Sequence, residues 1–229
     1  MKKTLLALLV TFTLPAWAQT KVALASLYIE NRIDLNDFGK DASFSYDIVG
    51  DYIFDLKPLV NRFRDSLFVH FPNKSYALLP ETTVIKDRGY KVFRPRYYDD
   101  FSSLECTSPA GYKIIYIEDT DFAAGQLGQL LPITDETMYI AIDFKLIKGI
   151  KPGDPARMLA HATIKKYNKT GKQTLNTSIS VTNNTDTKAN DPSEIEPKEA
   201  FILCQSAMEE LTRVMKATFK KQVPRKSKH

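Results

Sequence analysis

This chain of 229 residues is poor in the residue types from which reactive centres are built. It holds two cysteines, one tryptophan, nine glycines and three histidines. His70, His161 and His229 form no His-x-x-x-His or Glu-x-x-His pair, and there is no Cys-x-x-Cys, so the spacing of a zinc site is missing. No Gly-x-Ser-x-Gly elbow occurs, and no phosphate-loop or dinucleotide glycine pattern. The expectation is therefore no cofactor, no metal and no recognisable catalytic residue. A strong excess of one charge is lacking too: 32 Lys and Arg stand against 27 Asp and Glu. Much of the small surplus lies at the C-terminal end, in Lys221, Arg225, Lys226 and Lys228. The body is near neutral, which argues against a nucleic-acid partner. Beyond residue 18 no apolar run reaches the roughly 20 residues of a membrane-spanning helix.

What is present begins with an export signal. Lys2 and Lys3 give a basic start, Leu5, Leu6, Leu8, Leu9 and Val10 an apolar middle, and Ala16-Trp17-Ala18 a small-x-small cleavage pattern. That order reads as a secretory signal peptide over residues 1–18, with the mature chain beginning at Gln19. No Cys follows the cleavage point, so the lipid of a bacterial lipoprotein has no attachment there. The expected location is the periplasm or the medium. Residues 19–221 are expected to form one α/β domain, and residues 222–229 a disordered basic tail. Export means an oxidising compartment, which makes Cys106 and Cys204 the candidate disulfide pair. Cys106 reads as lying in a loop over residues 104–111, and Cys204 on the apolar seam of the last helix.

Periodicity sets the element order. Residues 21–29 are nearly all apolar, as in a strand buried on both faces. Residues 31–46 read as a loop, and the aromatic positions between Phe44 and Phe54 as an edge strand. Leu56, Leu59, Val60, Phe63 and Leu67 recur at helical spacing, with Asp55 as N-cap and Pro58 in the first turn. Residues 76–79 read as a short buried strand, 81–90 as one or two helical turns, 92–111 as irregular, and 112–117 as a β-rich run. Residues 119–131 predict a helix with Phe122, Leu127, Leu130 and Leu131 inside and with Gly125 and Gly128 available for close packing. Residues 138–148 alternate as a half-buried strand. Residues 157–167 and 173–182 form a hairpin about Asn168-Lys169-Thr170-Gly171. Residues 183–197 are polar. From Pro197 to about Lys221 the stripe Phe201, Cys204, Met208, Leu211, Met215 and Thr218 predicts the longest helix. The fold class is α/β in the mixed sense: a mixed sheet with helices packed on it, closed by an antiparallel hairpin and a long helix.

That layout resembles the α/β domain of envelope proteins such as the Tol-system propeller protein and the curli-secretion lipoprotein. It also resembles exported bacterial proteins of this size that carry a leucine-proline-glutamate step, here Leu79-Pro80-Glu81, and a lysine-tyrosine-asparagine-lysine turn, here Lys166 to Lys169. The resemblance implies this fold and action by binding partners.

The acids get a structural reading. Asp47, Asp51 and Asp55 follow no calcium-loop rhythm, and Glu118 to Asp121 complement a helix N-terminus. The most unusual local composition is Phe93-Arg94-Pro95-Arg96-Tyr97-Tyr98. Arg and Tyr combine contact area with directed hydrogen bonds, so Arg94, Arg96, Tyr97 and Tyr98 are the candidate partner contact. The partner class is an envelope protein or polymer, and the basic tail offers peripheral contact with anionic lipid headgroups. The function expected is a non-enzymatic binding or assembly module of the cell envelope. The alternative is a hydrolase of an envelope polymer using acids near Asp99 and Glu118.

Overall fold

The computed structural model describes residues 19–38, 55–73, 75–96, 105–149, 151, 154–183 and 195–221. Residues 1–18, expected to be a signal peptide, the aromatic positions from Phe44 to Phe54, Tyr97, Tyr98, Asp99 and the residues from 222 on lie outside them. The strands are β1 (Thr20–Asp34), β2 (Tyr76–Leu78), β3 (Cys106–Thr107), β4 (Glu136–Ile147), β5 (Arg157–Asn168) and β6 (Gln173–Thr182). The helices are α1 (Lys57–His70), α2 (Glu81–Ile85), α3 (Arg88–Val92), α4 (Thr120–Leu130) and α5 (Pro197–Lys221). The strands form one mixed sheet in the order β2-β1-β4-β5-β6, with β3 also on β1. β1 runs parallel to β2 and β4, while β4-β5, β5-β6 and β1-β3 are antiparallel.

Two crossovers run in opposite directions, the first from β1 through α1 to β2, the second from β2 through α2 to α4, past β1, to β4. Right-handed connections then demand helices on opposite faces of the sheet. The core obeys this. On the first face, α1 and α5 cover Val22, Leu24, Leu27 and Ile29 of β1 and Met138, Ile140, Ile142 and Phe144 of β4. On the second, α2 to α4 cover Ala23, Ala25, Tyr139 and Tyr167. β4 is therefore buried on both faces as far as Ile142, where a half-buried strand was expected. Alternation returns only from Asp143, beyond Ala141, which packs with Tyr28 and Cys106 under Ile114, Tyr116 and Ile117.

Leu24 and Leu27 share a face although they are three positions apart, an odd spacing that would put them on opposite faces of a regular strand. A bulge makes this possible: Leu24 pairs with Met138, and Ser26, not Ala25, pairs with Tyr139. The bulge also explains why residues 112–117 are not a strand. Ser26 Oγ donates to Lys113 O at 2.9 Å and accepts from Ile115 N at 3.1 Å. The Tyr90 hydroxyl donates to Ala25 O at 2.7 Å and accepts from Lys113 N at 2.9 Å. Hydroxyl groups thus replace ladder bonds along this edge of β1, and an apolar run with strand composition stays irregular.

Other expectations need correction. Leu56 takes the N-cap position of α1, although Asp55 Oδ1 still accepts from Lys57 N at 2.9 Å. β2 is half-buried. In α4 the inner residues are Thr120, Ala123, Ala124, Leu127 and Gly128, while Phe122 is 45% exposed. Small side chains let this helix sit close to the sheet, which turns Phe122 outward. In α5, Phe201 and Thr218 are only half-buried, while Phe219, at the end of the same stripe, is in the core and Leu203 joins it there.

The candidate disulfide does not form: both thiols are free and buried. Cys106 lies in β3, not in a loop, and packs with Tyr28 and Ala141 on the second face. Cys204 packs under α5 on the first. The sheet stands between them, and burial with the nearby acids Glu30 and Glu105 pushes the Cys106 thiol up to about 12.

Candidate functional site

Two surfaces carry the chemistry that the fold leaves exposed. The first is the segment after α3. Asp87 caps that helix, its Oδ1 accepting from Gly89 N at 2.6 Å and Tyr90 N at 3.2 Å. Phe93 and Pro95 are buried, so the arginines between and after them point outward. Arg94 Nη1 donates to Lys91 O at 3.3 Å. The Arg96 guanidinium lies 5.8 Å from the centroid of the Phe122 ring. Val92 joins them, 58% exposed. An exposed ring under a guanidinium, with Asp119 on the adjoining turn, makes an amphipathic patch where α3 and α4 meet. Composition singled out the arginines. Their aromatic partner was missed because the stripe of α4 was read one face round.

The second surface is the part of the second sheet face beyond the helical cover. Asp143, His161 and Ser180 are register partners on β4, β5 and β6, so they form a row across three strands. His161 Nδ1 is 2.6 Å from Ser180 Oγ, and its Nε2 is 3.3 Å from Thr163 Oγ1. Glu30 of β1 adjoins Asp143. The row names the residue types of a nucleophilic triad, but the geometry differs. In a triad the acid holds one ring nitrogen and the serine the other. Here hydroxyls face both nitrogens, and Ser180 sits exposed on an open sheet. The arrangement anchors the imidazole rather than activating the serine. The alternation of β5 sets His161 opposite Ala160 and Ala162 of the apolar face, and nothing in the sequence signals its neighbours across the strands.

Burial raises the Asp143 carboxyl above the usual range, and the His161 charge opposes the rise. Glu30 is raised too, first by burial and then by Asp143 and Glu118. A carboxyl that binds its proton more tightly in the folded state stabilises the fold fully below its unfolded value, about 4. That contribution is lost as pH rises through the folded value. Asp143→Asn is therefore expected to stabilise the protein near neutral pH and to change little in acid. The gain should stay below about 1 kcal/mol, because water reaches the site. Urea unfolding of both proteins at about pH 4 and about pH 7 checks this. Identical pH dependence in the two would contradict it.

Among the described residues, no group of three or more His, Cys, Asp or Glu is placed to hold a metal ion, and no helix is long and apolar enough to cross a membrane. No family model matches the sequence, and no curated protein matches it. Two solved structures are similar in part. A hypothetical protein of Chlamydia trachomatis is 10% identical over 90% of this chain and 100% of its own, with a TM-score of 0.34. A lipoprotein of Neisseria meningitidis is 11% identical over the same shares, with a TM-score of 0.33. Neither is the Tol propeller protein or the curli-secretion lipoprotein, and superpositions this loose carry no argument about function.

Proposed function

We propose that this chain is an exported, non-enzymatic binding module of the bacterial envelope. Its contact surface is the patch of Val92, Arg94, Arg96 and Phe122. The observation that carries the reading is Phe122, an aromatic side chain left outside the core beneath Arg96. Aromatic and arginine side chains supply most of the free energy at protein contacts, because they bury much area and still direct hydrogen bonds. A partner seated there would desolvate the ring and the guanidinium together, which strengthens the cation-π attraction. The signal-like leader supports an envelope address, where the partner is a protein or a polymer.

A photo-activated cross-linker placed at Phe122 in the producing bacterium tests the reading. Val69 is 70% exposed on α1 and serves as the control position. Discrete adducts are expected from position 122 and not from position 69, and Arg96→Ala should weaken them at least tenfold. Equal adducts from both positions, or adducts indifferent to Arg96, would remove the patch from the account.

A further inference from the structure

We propose that β6 is the seam along which two copies of this chain join, antiparallel and strand to strand, into one continuous sheet. The two borders of the sheet are treated very differently by the sequence. On the β1 side the border strands are short, β2 with 3 residues and β3 with 2. Between them the chain around Lys113 and Ile115 is pinned to β1 through Ser26 and Tyr90. That border is closed to another strand. On the far side stands β6, with 10 residues, whose only strand partner among the described residues is β5. Every second N–H and C=O of such a strand points away from its sheet and needs a partner or water.

Exposed borders are normally blunted by lysine, proline, a bulge or brevity. β6 uses neither lysine, nor proline, nor brevity, and its bulge, at Thr174, lies beside the turn to β5. Its sequence, QTLNTSISVT, has no charge and no proline. Its pairing with β5 is regular from Leu175 to Thr182, and the irregularity falls at the turn end, between Lys166 and Tyr167.

The same sequence is complementary to itself. With a twofold axis through Thr177, Leu175 of one copy opposes Ile179 of the other. Both are only half-buried while packing at the margin of the first-face core, so a second copy would finish covering them. On the other face Asn176 of each copy opposes Ser178 of the other, exposed polar side chains that pair by hydrogen bonds without charge. These features choose a second copy over an unrelated strand, and none depends on the Phe122 patch.

Sedimentation of the purified protein across a wide concentration range tests the seam. The mass is expected to double with concentration. Ser178→Lys, an exposed change, should weaken the dimer at least tenfold and leave the thermal unfolding curve of the dilute monomer in place. It puts two like charges diagonally across the twofold axis. Copies carrying Asn176→Cys mixed with copies carrying Ser178→Cys should cross-link faster than either alone. A wild type that stays monomeric throughout overturns the proposal. So does a dimer indifferent to Ser178→Lys, which would join elsewhere.

Discussion

Lys166→Met is expected to destabilise the fold by about 3–5 kcal/mol. Lys166 Nζ lies 2.7 Å from Glu136 Oε2, and the two side chains are 4% and 12% exposed. The ammonium also stands 3.9 Å from the centroid of the Tyr76 ring. The residues belong to β5, β4 and β2, so one cation ties three strands at the same end of the sheet. Lys166 pairs with Met138, two residues along β4 from Glu136, and long side chains bridge that diagonal. Losing the ammonium leaves a carboxylate with little access to water and no counter-charge. For a domain of this length such a loss corresponds to a midpoint about 6–20 °C lower. The double variant Lys166→Met with Glu136→Leu removes both charges and should recover stability to within about 1 kcal/mol of wild type. Thermal unfolding of the three proteins checks the argument. A single variant as stable as wild type would mean that the carboxylate is hydrated after all.

The pair also shows what a sequence withholds. Alternation gave β5 its two faces correctly, and it gave α5 its limits, because each pattern repeats over many residues. Register is a different quantity. Nine residues, from Lys148 to Ala156, join β4 to β5, too many for loop length to set the register, so nothing local says that Asp143 meets His161 or that Lys166 reaches Glu136. The β5-β6 turn is legible through Asn168 and through Gly171, whose φ of 78° suits glycine. Even there, the irregularity between Lys166 and Tyr167 moves the pairing by one place, which hid the contact of His161 with Ser180. Residues 112–117 failed for a related reason. Their composition suits a strand, but the bulge at Ser26 offers them hydroxyls in place of a ladder. At the contact patch, the arginines were visible as composition and Phe122 was not, since its direction depends on how closely α4 approaches the sheet.

That approach rests on Gly128, and Gly128→Ala is expected to cost about 3 kcal/mol or slightly more. In a free helix the same change stabilises by about 1 kcal/mol, because alanine loses less backbone freedom than glycine. Here a Cβ on Gly128 would come within 2.4 Å of Lys169 O, a backbone atom of the turn joining β5 to β6. Neither side can yield cheaply. Ala124 and Leu127 of the helix are fully buried, and the turn is held by Asn168 Oδ1, which accepts from Thr170 N at 3.0 Å and Lys172 N at 2.9 Å. Gly125 lies one turn position away, with nothing within 4 Å of where its Cβ would be. Gly125→Ala should therefore show the intrinsic gain of about 0.5–1 kcal/mol. The two substitutions are the same in chemistry and helix, so their opposite signs isolate the packing. Denaturant midpoints of the two variants measure it, and a Gly128→Ala protein no less stable than wild type would show that α4 can lift off the turn without loss. Such a lift would also shift Phe122 relative to Arg96, so Gly128→Ala should weaken cross-linking at position 122 even where the protein stays folded.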